Sequence, residues 1–247
     1  MKVLTGGITG LSTVDYPGHV ASVLYLCGCP YRCPYCQNFA LLDKKNCQEV
    51  ESDKIVEKIL ENRPLINGVC ITGGEPMDQS EGVMEICMPL KEQDMDIKLD
   101  TNGFHPERLN KVLKLVDFIA MDIKAPFEPG KYAMATGRDD GEEIVKRVKK
   151  TLEVIIQSGV EFEPRTTLVP MLIYTKADVL KIAASLKDYG VNRYVLQQFR
   201  PEGGCLDGEY ENYASLPRDY MLDIAAEVKN TIPEVLVRTK ESGEEMV

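Results

Sequence analysis

The chain is poor in several things, and each shortage removes a class of function. Of its 247 residues only two are histidines, His19 and His105. Zinc sites of the Cys2His2 or three-His type are disfavoured, and little room is left for a Cys-His nucleophile pair. No window approaches the roughly 18–20 uncharged apolar residues that a membrane span needs. Residues 1–18 hold one lysine, with neither an apolar core nor a small-residue cleavage pattern, so no secretory signal is expected. Positive charge is scarce as well: 29 Lys and Arg stand against 39 Asp and Glu, a net charge of −10. Nucleic-acid affinity is driven by counterion release at a basic face, so neither a nucleic acid nor an anionic membrane is an expected partner. There is no low-complexity tract and no linker rich in Pro, Gly or Ser.

What remains is an ordinary globular mixture, 44% apolar and 28% charged. Eight cysteines without a secretory signal point to a reducing, cytoplasmic compartment. In such a place thiols serve as metal ligands or catalytic groups rather than as disulfides.

Short apolar runs alternate with amphipathic segments. Strands are expected at 20–26, 68–72, 96–100, 117–123, 161–169 and 193–199. They are rich in Val, Ile, Leu and aromatics, and several read as continuous apolar runs, as strands buried on both faces do. Helices are expected at 52–61, 81–91, 106–115, 142–157, 175–187 and 218–229. Ser52 reads as a capping residue and Pro106 as a first helical position. Six βα units in series predict an α/β fold, a partial, open (β/α)6 TIM-type barrel, with a doubly wound sheet as the alternative. One domain of 1–247 is expected, with a core of about 18–200 and an extension, 201–247, packed on it. In either architecture ligands bind at the C-terminal ends of the strands.

The motifs fall at those ends. After the first strand comes Cys27-Gly28-Cys29-Pro30-Tyr31-Arg32-Cys33-Pro34-Tyr35-Cys36-Gln37-Asn38, whose core is Cys-x3-Cys-x2-Cys. Three thiolates on so short a loop can converge on one inorganic centre. A structural zinc wants four ligands, and Cys27 is available as the fourth. A four-iron cube held by three thiolates instead keeps one iron open for a small chelating molecule. Surplus buried thiols on a turn are the bland reading. The other four cysteines, Cys47, Cys70, Cys87 and Cys205, are scattered. No second Cys-x2-Cys exists, so an auxiliary cluster is not expected.

Cys29, Cys33 and Cys36, followed by Ile71-Thr72-Gly73-Gly74-Glu75-Pro76, resemble the radical S-adenosylmethionine (SAM) superfamily. Asp100-Thr101-Asn102-Gly103 and Ala120-Met121-Asp122-Ile123-Lys124 narrow the likeness to the glycyl-radical-enzyme activases. Ser12-Thr13-Val14-Asp15-Tyr16-Pro17-Gly18 and Val195-Leu196-Gln197-Gln198-Phe199-Arg200-Pro201 look like the anaerobic ribonucleoside-triphosphate reductase activating proteins. Gln37-Asn38 stands where many activases have His-Asn.

The resemblance implies a [4Fe-4S] cluster on Cys29, Cys33 and Cys36, with SAM on the fourth iron. Tyr35 would pack on the adenine. Gly73, Gly74 and Glu75 would receive the methionyl ammonium. Gln37, Asn38, Asn102 and Lys124 join the expected SAM contacts, and Arg165 would pair with the SAM carboxylate or ribose. Asp100 and Asp122 would contact SAM or, with Thr101 and Ala120, hold a monovalent cation. The implied reaction is reductive cleavage of SAM to a 5′-deoxyadenosyl radical, which takes a hydrogen from a glycine of a partner enzyme. Anaerobic ribonucleotide reductase is the expected partner, with flavodoxin or ferredoxin as electron donor. The alternatives are a pyruvate formate-lyase-type partner, a peptide or a small molecule, and more remotely a non-enzymatic zinc or iron–sulfur module. The acidic, Gly-rich segment 201–213 reads as an ordinary connection or a mobile loop.

Overall fold

The computed structural model describes all of residues 1–247. Alternating runs of β-branched and aliphatic residues make its strands, and each expected strand is present. In chain order come β1 (Lys2–Ser12), β2 (Ala21–Leu26), β3 (Gln48–Glu51), α1 (Ser52–Leu60), β4 (Gly68–Gly73), α2 (Ser80–Lys91), β5 (Asp96–Thr101) and α3 (Pro106–Val112). There follow β6 (Phe118–Asp122), α4 (Pro129–Thr136), α5 (Gly141–Ser158), β7 (Glu161–Leu168), α6 (Lys176–Asp188), β8 (Arg193–Gln198), α7 (Arg218–Val228), β9 (Glu234–Thr239) and β10 (Gly243–Met246). The strands form one sheet in the order β10-β9-β8-β7-β6-β5-β4-β2-β1-β3. From β4 to β9 the spatial order follows the chain without reversal. That is the order of a barrel wall and not of a doubly wound sheet, whose strand order turns back at a switch point. The sheet ends on two different edge strands and is open.

The wall is longer than the six strands expected. β9 pairs parallel with β8, and β10 pairs antiparallel with β9, so the C-terminal extension continues the sheet rather than merely packing on it. At the other end β1 pairs antiparallel with both β2 and β3. These additions escaped the periodicity reading because β1 is interrupted by Gly6-Gly7 and β3 and β10 are almost wholly exposed. Helix α4 was also missed, being eight residues long with Pro129-Gly130 at its start. Ser52 does not cap α1. It lies inside the helix, and its hydroxyl donates to Glu85 Oε2 at 2.8 Å. Thr175 does cap α6, its Oγ1 accepting from Asp178 N.

The chain divides into two compact units. The first holds Met1–Pro30, Asn38–Ala120 and Val154–Phe162; the second holds Tyr31–Gln37, Met121–Glu153 and Glu163–Val247. In the first, β2, β4 and β5 pair in parallel, and Leu24, Ile71 and Leu99, neighbours in register across the three strands, are fully buried. In the second, β7, β8 and β9 pair in parallel around Tyr194, Leu196 and Val237. No helix is long and apolar enough to cross a membrane.

Candidate functional site

In the first unit the end of β4 is locked to the start of the cysteine loop. Gly73 has φ +127, and a Cβ there would lie 2.2 Å from the Leu26 carbonyl oxygen. A Cβ on Gly74 would lie 2.1 Å from the Gly28 oxygen. Gly74 N donates to Leu26 O and Glu75 N to Gly28 O, each at 2.8 Å. The glycines were expected to let a ligand approach the backbone. What approaches on this side is the chain's own cysteine loop, brought up edge to edge with β4. Asn38 closes the loop's far end by donating from Nδ2 to Gly73 O at 3.0 Å.

Glu75 is fully buried. Its Oε1 accepts from Met77 N at 3.0 Å and from Thr101 Oγ1 at 2.9 Å, and its Oε2 accepts from Asn102 N at 2.7 Å. Three donors of the protein thus hold this carboxyl in place. Burial pushes the group up to about 7, against the pull of those donors. Glu75 ties the end of β4 to the end of β5, and this tie aims Asn102. Asn102 Oδ1 accepts from Phe104 N, and its Nδ2 donates to Cys29 Sγ at 3.5 Å. On a sulfur that held iron, such a donor would be one of the levers that set the potential.

The other expected residues of this unit are already engaged. Asp100 Oδ2 accepts from Thr72 Oγ1 at 3.0 Å and Oδ1 pairs with Lys98 Nζ. Thr101 Oγ1 also accepts from Gly103 N at 3.1 Å. Ala120 is fully buried in an apolar cluster with Tyr16, Ala21 and Phe118.

Cys27 and Cys47 form a disulfide, with Cα atoms 6.3 Å apart and a sequence separation of 20. This corrects, for two of the eight, the expectation that the cysteines serve as metal ligands or catalytic groups rather than as disulfides. The separation falls in the ordinary range for the bond, and the backbone brings the two together because Gly28 N donates to Leu41 O at 2.9 Å. Closing a loop of this length should stabilise the fold by about 3 kcal/mol. Reduction, or Cys47→Ser, is expected to lower the melting temperature by roughly 6–12 °C. Thermal scans with and without a phosphine reductant check this. Equal midpoints would count against a stabilising bond, and the serine variant should be indifferent to the reductant.

The second unit carries the rest of the loop. Cys33 is buried, Cys36 half-buried, and neither takes part in a disulfide. Burial pushes the Cys33 thiol up to about 11, with Lys124 pulling the other way. Tyr35 is buried. Its ring meets Phe199 edge-on at 6.4 Å between centroids, and Lys124 Nζ stands 6.0 Å from its own centroid. Gln37 Nε2 donates to the Arg200 carbonyl. Asp122 is held by two cations: Lys124 Nζ donates to Oδ2 at 2.8 Å and Arg165 Nε to Oδ1 at 3.1 Å. Burial alone would raise its carboxyl, but the two cations hold it well below the usual range. Lys124 is in turn raised by Asp122 against the cost of burial. Segment 201–213 is docked rather than loose, with Leu206 N donating to Cys36 O at 3.1 Å and Asp207 N to Pro34 O at 2.9 Å.

Three features escaped the sequence reading. The disulfide had no local signal. Lys98 had one: Lys98 and Asp100, two apart on a strand, share a face. His105 was assigned nothing, yet its Nε2 lies 2.6 Å from Asp78 Oδ1 beside the Glu75 turn.

No group of three His, Cys, Asp or Glu side chains is arranged to hold a metal ion. Ligation by Cys29, Cys33 and Cys36 therefore rests on their spacing and chemistry. The donor set fits a cluster with one open corner better than a closed zinc site. Cys27, the only candidate for a fourth thiolate on the loop, is spent in the disulfide, so the loop offers three.

Residues 23–186 match the sequence profile of the Radical SAM superfamily. The chain belongs to that superfamily. Among curated relatives, a candidate glycyl-radical enzyme activating enzyme of Methanocaldococcus jannaschii is 34% identical over 243 residues, 97% of each chain. A pyruvate formate-lyase-activating enzyme of Clostridium pasteurianum is 29% identical over 225 residues, 89% of each. Among solved structures, a radical SAM methyltransferase from Sphaerobacter thermophilus superposes with a TM-score of 0.72 at 15% identity, covering 92% of this chain and 68% of its own. That likeness is one of fold. The protein is thus a radical SAM enzyme, grouped by sequence with activating enzymes, on the open barrel wall this superfamily shares.

Proposed function

We propose that this radical SAM enzyme generates a glycyl radical on an anaerobic ribonucleoside-triphosphate reductase. The observation that carries the chemistry is the Cys-x3-Cys-x2-Cys spacing of Cys29, Cys33 and Cys36, none of them in a disulfide, on one loop that follows a parallel strand. A [4Fe-4S] cluster on that loop, when bound, supplies the single electron that splits SAM into methionine and the 5′-deoxyadenosyl radical that attacks the glycine.

The chain's own residues position and shield. Gly73 and Gly74 fix the loop against β4, and Glu75 fixes Asn102 beside the Cys29 sulfur. Arg165 and Lys124 keep Asp122 ionised, which gives SAM a rigid polar anchor in place of water. A donor at the low end of the roughly −700 to +450 mV iron–sulfur range is required, a role suited to a flavodoxin or ferredoxin in the cytoplasm.

The reductase is favoured as partner by 12–18 and by 195–201. The second reading, a pyruvate formate-lyase-type partner, is favoured by the 29% identity with the Clostridium pasteurianum enzyme. Anaerobically purified protein, SAM and a reductant should yield 5′-deoxyadenosine, and adding the reductase should produce a glycyl-radical doublet in the electron paramagnetic resonance spectrum. A doublet on a formate-lyase and none on the reductase would move the assignment to the second reading. Colourless protein that holds zinc would sink both.

A further inference from the structure

Lys98 is the one lysine the fold buries, its side chain 3% exposed. It lies on β5 directly opposite Cys70 of β4, with Nζ 3.5 Å from the Cys70 sulfur and hydrogen-bonded to Asp100 Oδ1. Asp100 lies two residues further toward the C-terminal end of β5, on the same face, with its side chain 20% exposed. The cation is therefore placed beneath the carboxylate, and the carboxylate reaches the edge of solvent. An ammonium buried this deeply without a partner would be prohibitive, so the pairing is obligatory.

The oxygen donors that an alkali ion would need in this unit are thus already committed. Asp100 Oδ1 carries the Lys98 ammonium, and Oδ2 accepts from the Thr72 hydroxyl. The Thr101 hydroxyl donates to Glu75 and accepts from Gly103. These residues do not fit a monovalent cation at Asp100. An ammonium and a potassium ion carry the same charge and favour the same hard oxygen partners.

We infer that Lys98 is a tethered replacement for a monovalent cation at Asp100, a positioning residue that frees SAM binding from any dependence on potassium or sodium. This rests on the reading of Asp100 as facing bound SAM. A free cation contributes an amount that grows with its concentration c as RT ln(1 + c/Kd); a tethered one contributes the same at every salt composition.

The test uses the full chain, purified anaerobically, in potassium chloride, ammonium chloride or choline chloride at equal ionic strength. Melting temperature without SAM and SAM affinity by calorimetry are both read. The wild-type protein should give the same values in all three salts. Lys98→Ala opens the space and should become salt-selective. Its melting temperature should rise by roughly 5 °C in potassium or ammonium relative to choline. Its SAM affinity should weaken roughly tenfold in choline and recover in potassium. Lys98→Thr, a residue suited to a strand and short enough to leave room for an ion, guards against a variant that does not fold. A wild-type midpoint that rises saturably with potassium and not with choline overturns the inference. So does a folded Lys98 variant indifferent to all three salts. The thermal measurement needs no SAM, so failure of the SAM reading would appear separately, as absent 5′-deoxyadenosine in the activity assay.

Discussion

Replacing Cys29, Cys33 or Cys36 singly by serine is expected to abolish SAM cleavage and to strip the protein of iron. Removal even of an outer-shell partner of a metal site costs about 10–100-fold in affinity or activity, so loss of a direct ligand should cost at least ~100-fold. The three should be equivalent although their surroundings differ, since Cys33 is buried and its two companions are half-buried. Equivalence is what a shared centre demands. Independent thiols would instead divide by burial, with Cys33→Ser mainly destabilising and the other two nearly silent. Cys87→Ala is the control. Cys87 is fully buried on α2 and behaves as a small apolar residue, so its loss should reduce stability and leave the iron content unchanged. Iron and sulfide analysis, with 5′-deoxyadenosine as the activity readout, settles the matter. Serine variants that keep full iron and turnover would remove the basis of the proposed function.

Glu75→Ala should be the most damaging substitution for the fold of the first unit. It strands three donors, Met77 N, Thr101 Oγ1 and Asn102 N, around a side chain with no exposed surface. Each buried unpaired group costs about 1–3 kcal/mol, so the sum is a large share of the roughly 5–15 kcal/mol that holds a protein folded. Glu75→Gln should fall between the two. Its carbonyl can keep Met77 and Thr101, but its amide then faces the Asn102 N–H, donor against donor.

The same residue sets a pH dependence. An ordinary glutamate titrates at 4.5, and burial raises Glu75 to about 7. Between those values the folded protein holds a proton that the unfolded chain has released. The stabilisation is therefore fully present below about pH 4.5 and is lost as pH rises to about 7, by roughly 3 kcal/mol in total. Urea midpoints measured at intervals from pH 5 to pH 8 should fall through this window in the wild type more steeply than in Glu75→Gln. Parallel profiles for the two proteins would show that Glu75 is already ionised at pH 5, held so by its three donors.

Much of the architecture is local and therefore legible. The six strands first identified are runs of 5–9 residues whose burial follows from their own composition, and all six appear within one or two residues of their expected ends. The three-cysteine loop and the Gly-Gly-Glu-Pro turn were legible for another reason: chemistry confines such residues to short spacings, and the turn cannot carry a Cβ at Gly73 or Gly74. Strands β1, β3, β9 and β10 were not legible. In β1, β3 and β10 a Gly pair, exposed polar residues or short length leave little period to read, whereas β9 is as long and as apolar as the strands that were found; all four pair with edges formed elsewhere in the chain.

The sequence alone determined the class of fold, the place of the cysteine loop at a strand end and the superfamily to which that loop belongs. Only the tertiary structure decided what each polar group does there. It closed Cys27 onto Cys47 across 20 positions, a pairing no spacing rule selects among eight cysteines. It spent both oxygens of Glu75 on the ends of two strands, and it set Lys98 against Asp100 with Cys70 of the neighbouring strand alongside. Periodicity and turn chemistry act between neighbours in sequence. Hydrogen-bond satisfaction, burial and disulfide closure depend on groups brought together across the chain, and these exist only once the strands have paired.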